Sequence, residues 1–176
     1  IVDDSLLREV MANGGITPAI VKRMCNYVQA LEVAGVDAIF NQCSSVGEAF
    51  DIAVQQTNLP VLKVDRPMAE KAVNLGKRIA VVATVASTLK PSTNLVKKAA
   101  TNAGREVEVK SVLVDGALDI LMKENDRAKH NRLVKEKIEA IQDEVDVVVL
   151  AQGSMVVLLP ELEHIRVPVI SSPRLG

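Results

Sequence analysis

Aromatic side chains are nearly absent from this 176-residue chain: one Tyr, two Phe and no Trp. A protein that stacks single-stranded bases on aromatic faces is thereby disfavoured. Charge of one sign is also missing, because 21 basic and 22 acidic residues leave a formal net charge of -1. The basic footprint of a nucleic-acid binder is not there. Two cysteines, Cys25 and Cys43, make no disulfide framework, and no segment reads as a signal peptide. No apolar run reaches the roughly 20 residues that a membrane span requires. A Walker loop, a GxGxxG fingerprint and any His/Cys/Asp cluster with metal-ligand spacing are lacking too, so no metal or cofactor is expected. The expectation is a soluble, reduced, cytoplasmic protein that binds neither nucleic acid nor membrane.

What is present is an alternation. Apolar runs at 36–43, 60–64, 78–84, 107–113, 145–151 and 167–171 read as strands, most of them apolar on both faces. Helix-period segments lie at about 18–34, 46–57, 67–75, 92–103, 126–143 and 155–163. Thr17-Pro18 is a cap followed by a first-turn Pro, and Gly35 ends that segment. Pro91 and Gly104 bracket the 92–103 segment in the same way. Alternating strands and helices imply an α/β fold built from parallel crossovers.

The chain also repeats itself. AGVDAIFNQCSS at 34–45 matches DEVDVVVLAQGS at 143–154, with Val36-Asp37 on Val145-Asp146 and Cys43 on Gln152. Each copy is followed by a helix candidate and then a Pro-Val strand, Pro60-Val61 or Pro168-Val169. A duplicated strand–helix–strand unit predicts two similar lobes. Ligands of open α/β sheets bind at the carboxyl ends of strands, where Cys43 and Gln152 would both sit, on opposite sides of one cleft.

Three polar clusters follow strands. In the first, Asn41, Cys43, Ser44 and Ser45 interrupt an aliphatic strand at the expected start of a helix, where partial positive charge lowers a thiol pKa and binds anions. A small buried Cys with two capping serines is the bland alternative. In the second, Gln152, Gly153 and Ser154 are either hydrogen-bond donors for an anion or a plain turn; Gln152 has no group that titrates. In the third, Thr84, Ser87 and Thr88 precede a Pro-led helix and would hold a carboxylate or cap the helix, with equal weight. Cys25 reads as core, His130 as solvated and His164 as structural. Gly14-Gly15 reads as a turn. Asp3 and Asp4, before a helix, read as exposed unless one enters a site as a base.

These segments resemble the aspartate/glutamate/hydantoin racemase superfamily. Its first motif, roughly V-D-x-I-x-x-x-C-N-T, is matched by Val36 to Ser45, and its second, V-D-x-x-x-L-G-C-T-H, by Val145 to Ser154. A Thr-rich motif is matched by Ala83-Thr84 and Ser87. The resemblance runs through nearly the whole chain in order, although the family's opening strand and closing helix have no counterpart here. It implies two pseudo-symmetric lobes, each a short parallel sheet flanked by helices, with a cleft between them. The first lobe would be 1–66, with 171–176 returning to it, and the second 67–170.

The resemblance further implies cofactor-independent chemistry at the carbon next to a carboxylate of a small acid. One thiolate removes the α-proton, and an opposite thiol returns a proton on the other face. Cys43 takes the first position and Gln152 the second; Asn41, Ser44, Ser45, Thr84, Ser87, Thr88, Gly153 and Ser154 would bind substrate. Gln152 removes the second acid/base, leaving Asp3 or Asp65 as substitutes. The alternatives are a single-cysteine decarboxylase of the same superfamily, a nucleophilic cysteine as in maleate isomerase-like proteins, and a small-carboxylate binding protein without catalysis. Exposed lobes of this size often pair, so a homo-oligomer is among the expectations.

Overall fold

Each apolar run expected to be a strand forms one in the computed structural model, which describes residues 1–175, but each is shorter than its run. The strands are β1 (Ile39–Asn41), β2 (Val61–Lys63), β3 (Arg78–Ala83), β4 (Glu108–Leu113), β5 (Val147–Leu150) and β6 (Val169–Ser171). All their pairings are parallel, so the α/β expectation holds: β1-β2 form one sheet and β4-β3-β5-β6 the other. The chain divides into two compact units, one of Ile1–Val64 and one from Asp65 onward.

The first unit begins with two helices, α1 (Asp4–Asn13) and α2 (Pro18–Val33). The sequence reading places Asp3 and Asp4 before a helix, and α1 is that helix. Asp3 is not simply exposed, however. Its carboxylate accepts from the Ser5 backbone N–H at 2.9 Å and hydroxyl at 2.6 Å, from Tyr27 at 2.5 Å and from Arg23 at 3.2 Å. This N-cap thus ties α1 to α2. Gly14 ends α1 in the left-handed region at φ 67°, which a residue without Cβ adopts freely. Thr17 caps α2 by accepting from the Ile20 N–H at 3.3 Å. A 3-10 turn at Ser44–Val46 leads into α3 (Gly47–Ala53) and then β2. The core is Leu6, Val10, Ile20, Val28, Ile39 and Phe50.

The second unit runs α4 (Arg66–Leu75), β3, α5 (Ala86–Asn102), β4, α6 (Ala117–Asp119, continued by a π turn over Ile120–Glu124), α7 (Arg127–Ile141), β5 and β6. Side chains alternate across its sheet with the period of two that a pleated strand imposes. Ile79, Val81, Val147 and Val149 pack with Ala69, Ala72 and Val96 of α4 and α5. Ala80, Val82, Val148 and Leu150 pack on the other face with Val134 and Ile138 of α7 and with Leu158. Both faces of β3 and β5 are therefore covered, which explains their unbroken apolar runs.

Further expectations change. The helix placed at 92–103 starts at Ala86, and Pro91 lies inside it. A helical Pro loses its own N–H bond to the residue four back and its ring crowds that carbonyl, but Pro91 stands near the start of α5, where few intrahelical bonds are at stake. The segment at 155–163 is a 3-10 run, Gly153–Leu162, containing Pro160. The residues 117–124, not assigned to a helix, form α6 and its π turn. His130 is buried, not solvated, with Nδ1 3.1 Å from Asn131 Oδ1.

The duplicated segment does form the same unit twice: β1–α3–β2 and β5–3-10–β6, each with its two strands parallel neighbours. The two copies differ on the far side. There β5 pairs with β3, whereas β1 has no second neighbour among the described residues. Asp146, before β5, accepts from the backbone N–H groups of Lys77 and Arg78, whereas its repeat partner Asp37 is exposed. Ser171–Leu175, expected to return to the first lobe, lie in the second unit, where a Cβ on Gly153 would meet Pro173 Cγ at 3.3 Å. Gly176 is outside the described residues.

Candidate functional site

Two hydrogen-bonded pairs organise the polar residues that follow the strands, one pair in each unit. In the first unit, Asn41 is the last residue of β1 and is buried. Its side chain holds the Cys43 backbone from both sides: Nδ2 donates to the Cys43 carbonyl at 3.1 Å, and the Cys43 N–H donates to Oδ1 at 3.4 Å. Residue 43 is thereby held extended at the point where the strand stops, at φ -120° and ψ 110°. Cys43 is half-buried and lines a cavity of about 550 Å³ with Phe40, Gln42, Val46, Phe50 and Tyr27. Ser44 and Ser45 open the 3-10 turn after Cys43, and Ser45 is buried.

Lys63 was not singled out from the sequence. It pairs in register with Asn41, and its amine donates to the Gly47 carbonyl at 3.3 Å and to Asp51 at 3.1 Å. The available signal was a lone charge in an apolar strand, Val61-Leu62-Lys63-Val64. Lys63 fixes the first turn of α3, and hence the loop that carries Cys43.

In the second unit, Gln152 follows β5 and Thr84 follows β3, and those strands are neighbours. Gln152 Oε1 accepts from the Thr84 N–H at 3.0 Å, and Gln152 Nε2 donates to Thr84 Oγ1 at 2.8 Å. Both ends of the Gln152 amide are engaged by one residue. Because Thr84 Oγ1 is already an acceptor, its own hydrogen is left to be donated elsewhere. A thiol or imidazole at 152 could titrate; this amide instead fixes the rotamer of a hydroxyl donor.

The remaining candidates of the second unit gather near the same strand ends. Ser87 and Thr88 lie in the first turn of α5. Thr88 Oγ1 donates to the Val85 carbonyl at 2.7 Å, so its hydroxyl hydrogen is used within the first turn of α5. Ser87 Oγ is buried and makes no hydrogen bond. Gly153 and Ser154 start the 3-10 run, Gly153 against Ser172 and Pro173 and Ser154 exposed. Each polar cluster read from the sequence thus stays together within its own unit. Among the described residues, no group of three or more His, Cys, Asp or Glu side chains is placed to hold a metal ion. No helix among them is long and apolar enough to cross a membrane.

The opposite edge of the second sheet carries a carboxylate held ionised by its hydrogen bonds. The Arg78 backbone N–H and guanidinium, with the Lys77 N–H, hold the Asp146 carboxyl down at about 2. In the first unit, hydrogen bonds from Ser5 and Tyr27 hold Asp3 down at about 2, and the Asp3 carboxylate in turn pushes the Tyr27 hydroxyl up. Both carboxylates act as structural anchors between elements. His164 is likewise paired, with Nε2 2.7 Å from Glu139.

Comparison with known proteins identifies the family of the chain and proteins of similar fold. A sequence model of the family described as Asp/Glu/Hydantoin racemase matches residues 12–176. The fold is similar to that of glutamate racemase RacE1 from Bacillus anthracis, at 22% identity and a TM-score of 0.65 over 90% of this chain and 63% of that one. It is similar to allantoin racemase from Klebsiella pneumoniae, at 19% identity and 0.61 over 89% and 62%. A putative Asp/Glu racemase from Yersinia pestis superposes at 0.73 and 15% identity over 99% of this chain and 77% of that one. An arylmalonate decarboxylase superposes at 0.54 and 16% identity, over 90% and 73%. The chain therefore spans less than two thirds of the glutamate and allantoin racemases it resembles. No curated protein matches it.

Proposed function

From the premise that the chain belongs to the Asp/Glu/Hydantoin racemase family, we propose that it acts on the carbon next to the carboxylate of a small acid, with Cys43 as the proton-transferring group. The observation that carries this reading is the coincidence of the family match with Cys43 at the end of β1. Its backbone is held there by Asn41, and the residue lines a cavity. A thiolate that takes an α-proton leaves an enolate-like carboxylate, whose extra charge needs fixed donors. Thr84, with its hydroxyl set by Gln152, and Ser87, with an unpartnered hydroxyl, are the proposed carboxylate donors. Ser44, Ser45, Gly153 and Ser154 complete the proposed binding groups, and Thr88 supports the α5 turn. In this reading Gln152 is a positioning residue, because its amide can neither take nor give the proton.

A second reading is favoured by that same amide. If the second unit supplies no acid/base, a single thiol suits protonation of one face after loss of CO2. The likeness to an arylmalonate decarboxylase is compatible with this. Proton NMR in D2O tests both readings, with a panel of amino acids and malonate-type acids and with Cys43→Ala beside the parent protein. Loss of an α-proton signal with inversion, present only when Cys43 is present, supports racemisation. Cys43-dependent CO2 release supports the lyase. If no acid in the panel exchanges or decarboxylates, the catalytic proposal falls. A carboxylate that still raises the melting temperature would then identify a binding protein.

A further inference from the structure

Laid on each other through Val36-Asp37 and Val145-Asp146, the two copies of the repeat differ along one side of their first strand. Towards the second strand they agree: the Ile39 N–H donates to the Pro60 carbonyl as the Val148 N–H donates to the Pro168 carbonyl. Away from it they do not. The Asp146 N–H donates to the Arg78 carbonyl and the Ala151 N–H to the Val82 carbonyl, and both bonds join β5 to β3. The counterparts of those donors are the N–H groups of Asp37 and Gln42, and neither meets an acceptor among the described residues. The Asp37 carboxylate is exposed and likewise makes no hydrogen bond or ion pair among them. Its counterpart Asp146 is held by the Lys77 and Arg78 N–H groups and by the Arg78 guanidinium.

Two further features single out β1. A cavity of about 550 Å³ adjoins it, lined by Ile39 and Phe40 of the strand and by Met24, Val28 and Leu31 of α2. Phe40 is 45% exposed, although its counterpart Val149 is fully buried. The strand also lacks the devices that keep an outer strand from pairing. β4 carries Glu108 and Lys110, β2 follows Pro60 and carries Lys63, and β6 follows Pro168. Ile39-Phe40-Asn41 has neither charge nor proline.

We propose that the free edge of β1 is a docking site for one more strand: an extended peptide segment that runs parallel to β1, begins with a basic residue and is apolar at alternate positions. Each requirement is read from β3, which fills the equivalent place in the second unit. The parallel sense follows from the pairing of β3 with β5. The basic residue answers Asp37 as Arg78 answers Asp146, through charge-assisted bonds. The alternation follows because one face of an added strand turns towards α2, as Ala80 and Val82 turn towards Val134 and Ile138 of α7. In this mode of recognition the backbone bonds give affinity and the alternate side chains choose the segment. The proposal does not depend on the reaction assigned to Cys43.

Titration of the isotope-labelled full chain with a synthetic peptide of residues 77–84, KRIAVVAT, tests this by NMR. The peptide is expected to bind and to slow hydrogen exchange at the Asp37 and Gln42 amides. Asp37→Asn in the protein, or Arg78→Glu in the peptide, should weaken binding about tenfold. A peptide of the reversed sequence should bind more weakly, and equal binding overturns the parallel sense. Absence of binding overturns the proposal, as does binding that ignores both substitutions and leaves the two amides unprotected. Protection of those amides that rises with protein concentration, with no peptide present, also overturns it, because a second copy of the chain then covers the edge. Asp37 is exposed, so Asp37→Asn is expected to fold, and the peptide substitution makes the same comparison in the unaltered protein.

Discussion

Asp146 accepts four hydrogen bonds from two consecutive residues: the backbone N–H groups of Lys77 and Arg78, and Nε and Nη2 of Arg78. Its backbone N–H returns one to the Arg78 carbonyl at 2.7 Å. This joins the amino ends of β3 and β5, and it needs Gly76 beside it, where a Cβ would lie 2.3 Å from Asp146 Cβ. The Asp146 pKa is held at about 2, below the roughly 3.9 of an unfolded Asp. A depressed folded-state pKa means that the stabilisation is complete above the unfolded value and is lost as pH falls through the folded one. Asp146→Asn should therefore melt lower than the parent near pH 7, and the gap should narrow as pH drops from about 4 to about 2. Thermal melts across that range check it, and a gap that does not change with pH would refute it. The sequence showed Val145-Asp146 only as half of a repeat; the carboxylate's partners, about 70 residues away, were not legible there.

At the scale of elements, local chemistry set the starts and stops where caps are short-range. Thr17 both precedes Pro18 in sequence and caps α2 in the structure, and the fully buried Ile20 follows it. Thr17→Ala should cost about 1 kcal/mol, read as a lower denaturation midpoint with an unchanged denaturant dependence. No effect would show that α2 is held by packing alone. α5 shows the limit of such signals. Pro91 reads as a helix start, but the helix reaches back to Ala86, because Pro91 lies near its amino end, where few intrahelical bonds are lost, and Thr88 Oγ1 donates to the Val85 carbonyl within the first turn. Ser87 and Thr88 are consequently helical residues, not loop residues, which decides what their hydroxyls can reach.

For the molecule as a whole, the two units are unequally built. The second buries β3 and β5 on both faces within a four-stranded sheet. The first has a two-stranded sheet of three-residue strands, with Phe40 and Leu62 exposed. Two-stranded sheets are marginal without helix packing, and opening free energies follow buried contact density. Native-state hydrogen exchange should find the slowest amides at Val81, Val82, Val148 and Val149. The amides of Ile39 and Lys63 should exchange through a lower-energy opening. Equal protection in the two sheets would contradict this.

By itself the sequence determined the α/β class, the six strands, the duplicated strand–helix–strand unit and the polar clusters around Cys43, Thr84 and Gln152. Each rests on near-neighbour information: the period of apolar residues, the caps beside them and the interruption of an aliphatic run. Tertiary structure alone decided that Gln152 holds Thr84, that Asn41 holds Cys43, that His130 is buried and that Asp65 is left without a partner. Hydrogen-bond partnership depends on which strands lie side by side. Burial depends on what packs over a residue from distant parts of the chain. Neither quantity is carried by a residue's own neighbours in sequence.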